Sequence, residues 1–518
     1  MVVPELRAWR TARPHVLRVA RTVRPHVARV TRIMRPGAVR WTTPQLTAVA
    51  ATMGLALAAG AVTAAGPWDS SGQRTAERDR AASRAPEGGA DHAGAGGATA
   101  TGPRPAPSAA TVLAGLGRST VTVPAPAGKA LARVLDPLLD DPVLGARRTA
   151  VVVDVATGKR LYGKGADTVQ TPASTTKIAT AVAALTAPGP DHRITTRTVL
   201  EPDTKEVVLV GGGDPTLTAR KVTDGWASLR TLADRTAAAL KSRHLDHVTL
   251  SYDTSLFTGP VLHPIGVNEN IAAVTPLMVD EGRRDDSTSG TATRAPDPAA
   301  DAARTFAGLL RDHGIETTAP GPSKATGRSK ALASVSSPPL SALVERMLTN
   351  SDNDIAEALA RQVALATGEE PSFDGDAKAI RARLKKLGLP LDGARFADGS
   401  GLNRADKLSA HLLTALLAAA GDPDRPELRT VLTGLPIAGF TGTLSGRYAD
   451  APAATGVVRA KTGTLTGVNT LSGTVVDADG RLLAFAFMTS DEAHPPNPFT
   501  ARSALDRAAT ALASCGCR

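Results

Sequence analysis

Ser174 and Lys177 stand three residues apart in the run Thr171-Pro172-Ala173-Ser174-Thr175-Thr176-Lys177, a spacing that projects both side chains from one face of a helix. A serine hydroxyl is a weak nucleophile until a base takes its proton, and a lysine can be that base only while it is uncharged. Moving a lysine from about 10.4 to about 7 costs roughly 4 to 5 kcal/mol, which burial beside another cation supplies. A serine at a helix start also sees the positive helix end, which favours negative charge nearby. Taken alone the pair has a blander reading, a capping serine beside a surface lysine.

Two further groups bear on the same chemistry. Ser351-Asp352-Asn353 sets a hydroxyl and a carboxamide between two apolar helical runs, 340–348 and one beginning near Asp354; alone it too reads as a helix cap. Lys461-Thr462-Gly463-Thr464 follows the strand-like run 457–460 and offers a point charge, a close backbone approach at glycine and two hydroxyls. Thr441-Gly442-Thr443-Leu444 echoes Thr462-Gly463-Thr464-Leu465 but has Phe440 where the other has Lys461. Only the second can meet an anion with a side-chain cation.

These residues need elements to position them. Ile178, Ala181, Val182 and Leu185 recur at helical spacing after Ser174, so a helix with an apolar face begins just past Pro172. Upstream, Ala130, Leu131, Val134, Leu135, Leu138 and Leu139 mark another helical face, and 149–155 reads as a buried strand turned by Ala156-Thr157-Gly158 into a second strand through Leu161 and Tyr162. Downstream, 456–460, 471–476 and 482–488 are β-rich and 499–513 is an amphipathic helix. Strands and helices at both ends predict one α/β domain, 116–199 and 331–518, split by a partly β-rich insertion at 200–330.

The N-terminal region is of another kind. Residues 1–45 hold ten arginines and one acid, Glu5, so they carry +9 of the net +11 and leave +2 for the rest; the near-neutral remainder excludes a nucleic-acid-binding role. Residues 46–66 are 21 uncharged residues bracketed by Trp41 and Trp68. They suit a membrane anchor with the basic arm in the cytoplasm, or alternatively a cleaved signal segment and a secreted protein. Residues 67–115 read as a flexible linker. Cys515 and Cys517 lie in the last four residues and are expected to be an unpaired or interchain-reactive tail.

Serine and lysine three apart, then Ser-Asp-Asn, then Lys-Thr-Gly is the ordered signature of penicillin-binding proteins and class A β-lactamases. The sequence resembles more narrowly the type 4 low-molecular-mass penicillin-binding proteins, the D-alanyl-D-alanine carboxypeptidase/endopeptidase family. The resemblance runs from about 125 to 510 through Gly211-Gly212-Gly213-Asp214-Pro215-Thr216-Leu217, Thr275-Pro276-Leu277-Met278-Val279-Asp280, Asp398-Gly399-Ser400-Gly401-Leu402 and Leu435-Pro436-Ile437-Ala438-Gly439. It implies a penicillin-binding-protein/β-lactamase-like transpeptidase domain, an antiparallel sheet with flanking helices. Ser174 would attack the carbonyl of the penultimate D-alanine with Lys177 as its base. Ser351 would pass a proton to the leaving amine, and Asn353 would hold the substrate amide. Lys461, Thr462 and Thr464 would receive the terminal carboxylate, with Gly463 between them, and the N–H groups of Ser174 and Thr464 would form an oxyanion hole.

The implied partners are peptidoglycan stem peptides ending in D-Ala-D-Ala and β-lactam antibiotics, with no metal and no cofactor. A β-lactamase and a non-catalytic peptidoglycan-binding or β-lactam-sensing module are the competing readings. The 173 residues between Lys177 and Ser351 are far more than a β-lactamase resembling this signature has, and a binding module has no use for a costly buried lysine.

Overall fold

The computed structural model of the chain describes residues 125–517. The basic arm, the apolar segment 46–66 and the linker lie outside the described residues, as does the start of the segment expected from 116. Among the described residues, no helix is long and apolar enough to cross a membrane.

A five-stranded antiparallel sheet carries the site. Its spatial order is Arg459–Leu465, Val468–Val476, Leu482–Ser490, Arg147–Asp154 and Arg160–Lys164. The two halves of the sequence meet at its centre, where Arg147 is in register with Ser490 and Asp154 with Leu483. The strand period of two sorts the side chains of these strands between two cores. Val151, Val153, Ala484, Ala486 and Met488 face one side, and Ala150, Val152, Phe485 and Phe487 face the other. Both faces are apolar because both are covered. The outer face packs against helices Gly128–Leu139 and Pro498–Ala513, through Leu131 and Leu135 of the first and Leu505 and Leu512 of the second.

The inner face meets a helical layer centred on Thr176–Thr186. Ten of that helix's eleven residues are buried, Thr176 through Leu185, so it is encased on all sides and not amphipathic. Alanines at 179, 181, 183 and 184 let the surrounding helices approach closely. Leu340–Asn350, Asn353–Thr367, Phe373–Lys386 and Ala410–Gly421 pack around it.

The insertion forms a second, mixed sheet with a core of its own built on Val207, Leu209, Leu250, Phe306 and Leu310. Glu206–Val210 runs parallel to His247–Asp253, a connection that requires a crossover, supplied by helix Leu229–Lys241. Thr195–Leu200 pairs with Glu206–Val210 on one side and with the edge strand Lys330–Ser336 on the other, so the structural unit begins a few residues before 200 and closes a few after 330.

Two expectations are corrected. Lys461, Thr462, Gly463 and Thr464 do not follow a strand ending at 460; they lie within Arg459–Leu465, because their backbones pair with residues 469–472 of the next strand. Cys515 and Cys517 are not an unpaired tail but are disulfide-bonded to each other. The tail turns back after the last helix, and Cys517 accepts a hydrogen bond from Ala127 N at 2.7 Å. That leaves the two Cα atoms 4.9 Å apart, within the span a disulfide bridges.

Candidate active site

Ser174 sits in a single 3-10 turn, Ala173–Thr175, that leads into the encased helix at Thr176. The turn is strained at its first residue, where Ala173 has φ of 48°, a left-handed value that costs a non-glycine residue of order 1–3 kcal/mol. The surroundings fix it there. Thr470 Oγ1 and Thr175 Oγ1 both donate to the Pro172 carbonyl, at 2.8 and 2.7 Å. Gly401, itself at φ of 82°, comes so close that a β-carbon there would lie 2.0 Å from Ala173 O. Gly463 closes the other side, since a β-carbon on it would stand 2.7 Å from Pro172 O.

Lys177 is fully buried, which removes the reading of a surface lysine. Its Nζ lies 3.1 Å from Ser174 Oγ, 2.6 Å from Asn353 Oδ1 and 2.7 Å from the Ser400 carbonyl. The Asn353 amide is oriented by its own Nδ2, which donates to Asn270 O at 3.0 Å, so the oxygen is the atom turned to the lysine. A neutral amine has two N–H bonds and one lone pair. Asn353 and Ser400 present only acceptors and take the two hydrogens, which leaves the lone pair for the Ser174 hydroxyl. Burial pulls the Lys177 ammonium down to about 8, while Asp398, Glu357, Asp352 and Asp354 act in the opposite direction. The descent from 10.5 to about 8 corresponds to about 3 kcal/mol.

Ser351 caps helix Leu340–Asn350 in a left-handed conformation (φ 60°, ψ 39°). Asp352 then starts helix Asn353–Thr367 as its N-cap, its Oδ1 accepting from Ile355 N at 3.0 Å. The capping reading therefore holds for the aspartate. The two residues beside it face a cleft of about 240 Å³ lined by Ser174, Ser351, Asn353, Thr462 and Thr464, together with Asn270 and Arg294 of the insertion.

Lys461 and Gly463 are not among the cleft-lining residues. Gly463 packs on the nucleophile turn, and the alternation of the strand puts Lys461 on the same face, where it is fully buried. Its Nζ donates to Thr462 O at 2.8 Å. Burial, and then the nearby Lys177, hold its ammonium well below the ordinary lysine value. Arg459–Leu465 is the edge strand of the sheet, and Ala460 N points outward to Pro436 O at 2.9 Å. The two-residue period then turns the N–H groups of Thr462 and Thr464 to the same open edge. Thr462 Oγ1 donates to Thr443 Oγ1 at 3.0 Å, so the segment 441–444, which lacks a lysine, adjoins the site without repeating its function.

A nucleophile, a buried amine aimed at it, and an open strand edge across the cleft suit acyl transfer. The model of the D-Ala-D-Ala carboxypeptidase 3 (S13) family matches residues 131–292 and 281–512. The chain belongs to this family. It is 37% identical over 430 residues to carboxypeptidase DacB of Mycolicibacterium smegmatis, covering 80% of this chain and 90% of that protein. Over 441 residues it is 30% identical to a D-alanyl-D-alanine carboxypeptidase of an Actinomadura species, covering 70% and 81%. Penicillin binding protein 4 from Haemophilus influenzae shares the fold, with a TM-score of 0.59 at 22% identity over 74% of this chain and 98% of that one.

In this serine carboxypeptidase the structure brings Ser174, Ser351, Asn353, Thr462 and Thr464 to one cleft, sets Lys177 beneath it in contact with Ser174 and Asn353, and sets Lys461 and Gly463 behind it. Ser400 has no predicted role in the sequence, and it is its backbone carbonyl, not its side chain, that grips Lys177. Glu357, also outside the predicted site, accepts from Gly399 N at 3.0 Å and Ser400 N at 2.9 Å. A signal existed, since Glu357 lies one helical turn after Asn353 and so shares its face. The Asn270 carbonyl carries no side-chain signature at all. The glycine-rich phrase 211–217 and the phrase 275–280 are a seam within the insertion: Gly213 N donates to Pro276 O at 2.7 Å and Asp280 N to Leu217 O at 2.8 Å.

Gly463→Ala tests the packing of the strand on the nucleophile turn. The new methyl would meet Thr470 Oγ1 at 2.1 Å as well as Pro172 O. We expect a stability loss of roughly 1–3 kcal/mol by thermal unfolding, with a larger proportional loss in the rate of penicillin acylation. Unchanged acylation would mean that the turn tolerates displacement.

Proposed function

We propose that the chain is an extracytoplasmic enzyme that trims or cuts peptidoglycan stem peptides ending in D-Ala-D-Ala through an acyl-enzyme on Ser174, and that β-lactams acylate the same serine. The observation that carries this reading is the arrangement of Lys177, with two obligate acceptors on its N–H bonds and the Ser174 hydroxyl at the remaining position. Ser174 Oγ attacks the carbonyl carbon of the penultimate D-alanine while its proton passes to Lys177. The carbonyl oxygen becomes an oxyanion facing the N–H groups of Ser174 and Thr464, a pair of dipoles that needs no reorganisation. The C–N bond breaks as Ser351 relays the proton to the departing amine. Water then attacks the ester by the reverse proton path, releasing the shortened peptide and restoring Ser174.

The terminal carboxylate of the substrate is met by the hydroxyls of Thr462 and Thr464, and Lys461 acts on it from beneath the cleft floor. Burial and the neighbouring Lys177 both disfavour the charged form of Lys461, and a bound carboxylate would favour it. Cutting a cross-link and trimming a terminal D-alanine use the same acyl-enzyme and differ in the leaving amine. The uncharged segment 46–66 and the arginines before it support membrane anchoring with the catalytic domain outside, the alternative being release after signal cleavage.

Ser174→Ala should abolish both D-alanine release and the covalent penicillin adduct, read by mass spectrometry, while leaving the thermal transition nearly unchanged. An adduct that persists removes the serine from its role. The pH dependence follows from the base. Only the neutral amine accepts a proton, so the acylation rate should rise about tenfold per pH unit below about 8 and level off above it. A rate that is flat from pH 6 to 9 contradicts a lysine base.

Lys461→Gln should depress turnover of a D-Ala-D-Ala peptide more than turnover of the same peptide amidated at its C-terminus. A ratio of the two rates equal to that of the native enzyme would show that Lys461 has no part in carboxylate recognition.

A further inference from the structure

His263 belongs to the insertion, yet its imidazole is fully buried against the catalytic domain. Nε2 lies 2.9 Å from Asp398 Oδ2 and 3.9 Å from Glu357 Oε1, and Nδ1 accepts from Ile265 N at 3.3 Å. A nitrogen that accepts an amide hydrogen has its lone pair free, so the proton is on Nε2 and the ring is the neutral tautomer that donates to Asp398. The edge of Phe373 packs at 5.3 Å between ring centroids, which fixes the plane of the ring.

The two carboxylates it meets shape the loop that holds the base. Asp398 accepts from Gly401 N and Asn403 N, both at 2.6 Å, and Glu357 accepts from Gly399 N and Ser400 N. Between those anchors the Ser400 carbonyl is presented to Lys177. Fully buried carboxylates stay in place only while hydrogen-bonded.

We propose that His263 is a positioning residue for the acylation step: by donating to Asp398 it fixes the loop 398–401, so that the Ser400 carbonyl takes one N–H of Lys177 and the amine lone pair stays on Ser174. The insertion thereby contributes to the chemistry as well as to the walls of the cleft. This rests on the reading of Lys177 as the base. The acidic and basic groups around this assembly are Asp398 and Asp406 from the loop, Asp352 at the cap of helix Asn353–Thr367, Asp354, Glu357 and Arg361 from that helix, Asp376 from helix Phe373–Lys386, and Lys461 beside Lys177.

The test uses the full-length chain with penicillin as probe and separates the limiting rate of acylation from the concentration that gives half of it. His263→Phe keeps an aromatic ring against Phe373 and removes the donor. It should lower the limiting rate about 100-fold, the size expected for a reacting group displaced by about 1 Å, with the half-saturating concentration unchanged. His263→Gln offers an N–H at one atom and an acceptor at its neighbour, and should recover most of that loss. A merely structural histidine gives no such split and no such rescue.

A folded His263→Phe chain that acylates at the native rate, or a His263→Gln chain as slow as His263→Phe, overturns the proposal. If His263→Phe does not fold, nitrogen-15 NMR of the histidines in the native chain decides instead. A His263 imidazole that carries its proton on Nε2 and leaves Nδ1 as the acceptor supports the assignment, and one that carries a proton on Nδ1 overturns it. Lys177→Met serves as the separate control. Native acylation in that variant would sink the base itself, whereas loss of acylation there with none in His263→Phe would sink only the role of His263.

Discussion

An amine kept away from water is the constraint around which the rest of the molecule is arranged. The Lys177 ammonium loses hydration on burial, and if nothing answered it the group would be permanently neutral and weakly basic. Four carboxylates push the other way, and the outcome of about 8 leaves a group that can both accept a proton from serine and part with it again. A base much lower would not hold the proton through the transition state; a base much higher would seldom be neutral at physiological pH. Burial and counter-charge are thus set against each other within one small volume, and the helices around Thr176–Thr186 are what keep that volume dry.

The supporting acids have the same problem at one remove. Asp398 and Glu357 are fully buried, and they are kept in place by backbone N–H groups of the loop 399–403 and by an imidazole from the insertion. The positive φ of Ala173 and the close approaches of Gly401 and Gly463 belong to this economy of space. Three chain segments converge on the nucleophile turn, and a side chain at either glycine would push them apart.

The sequence made the catalytic domain legible where periodicity is strong or where chemistry selects a residue type. The encased helix after Pro172, the strands on either side of Ala156-Thr157-Gly158 and the closing amphipathic helix were readable because their apolar positions recur. Ser174, Lys177, Ser351 and Asn353 were readable because few other reactions want those groups in that order. What escaped was carried by backbone atoms or by partners distant in the chain. The carbonyls of Ser400 and Asn270 leave no mark on residue type. His263 lies 135 positions from Asp398, and nothing in its local pattern distinguishes it from a loop histidine. The extent of the strand beyond 460 was not legible from local pattern, because it is set by cross-strand pairing of 461–464 with 469–472.

The pairing of Arg147–Asp154 with Leu482–Ser490 has a consequence for how the protein is made. The central pair of strands joins residues more than three hundred positions apart, so closing it carries a large loop entropy that local contacts cannot offset early. The insertion, with its own core and its parallel strands connected through one helix, can order while the flanking segments are still separate. The nucleophile turn leans on Gly463 and on Thr470, which lies 298 positions after Pro172. The turn therefore gains the contacts that hold its shape only after the whole insertion has been made and the strands beyond it have joined the sheet.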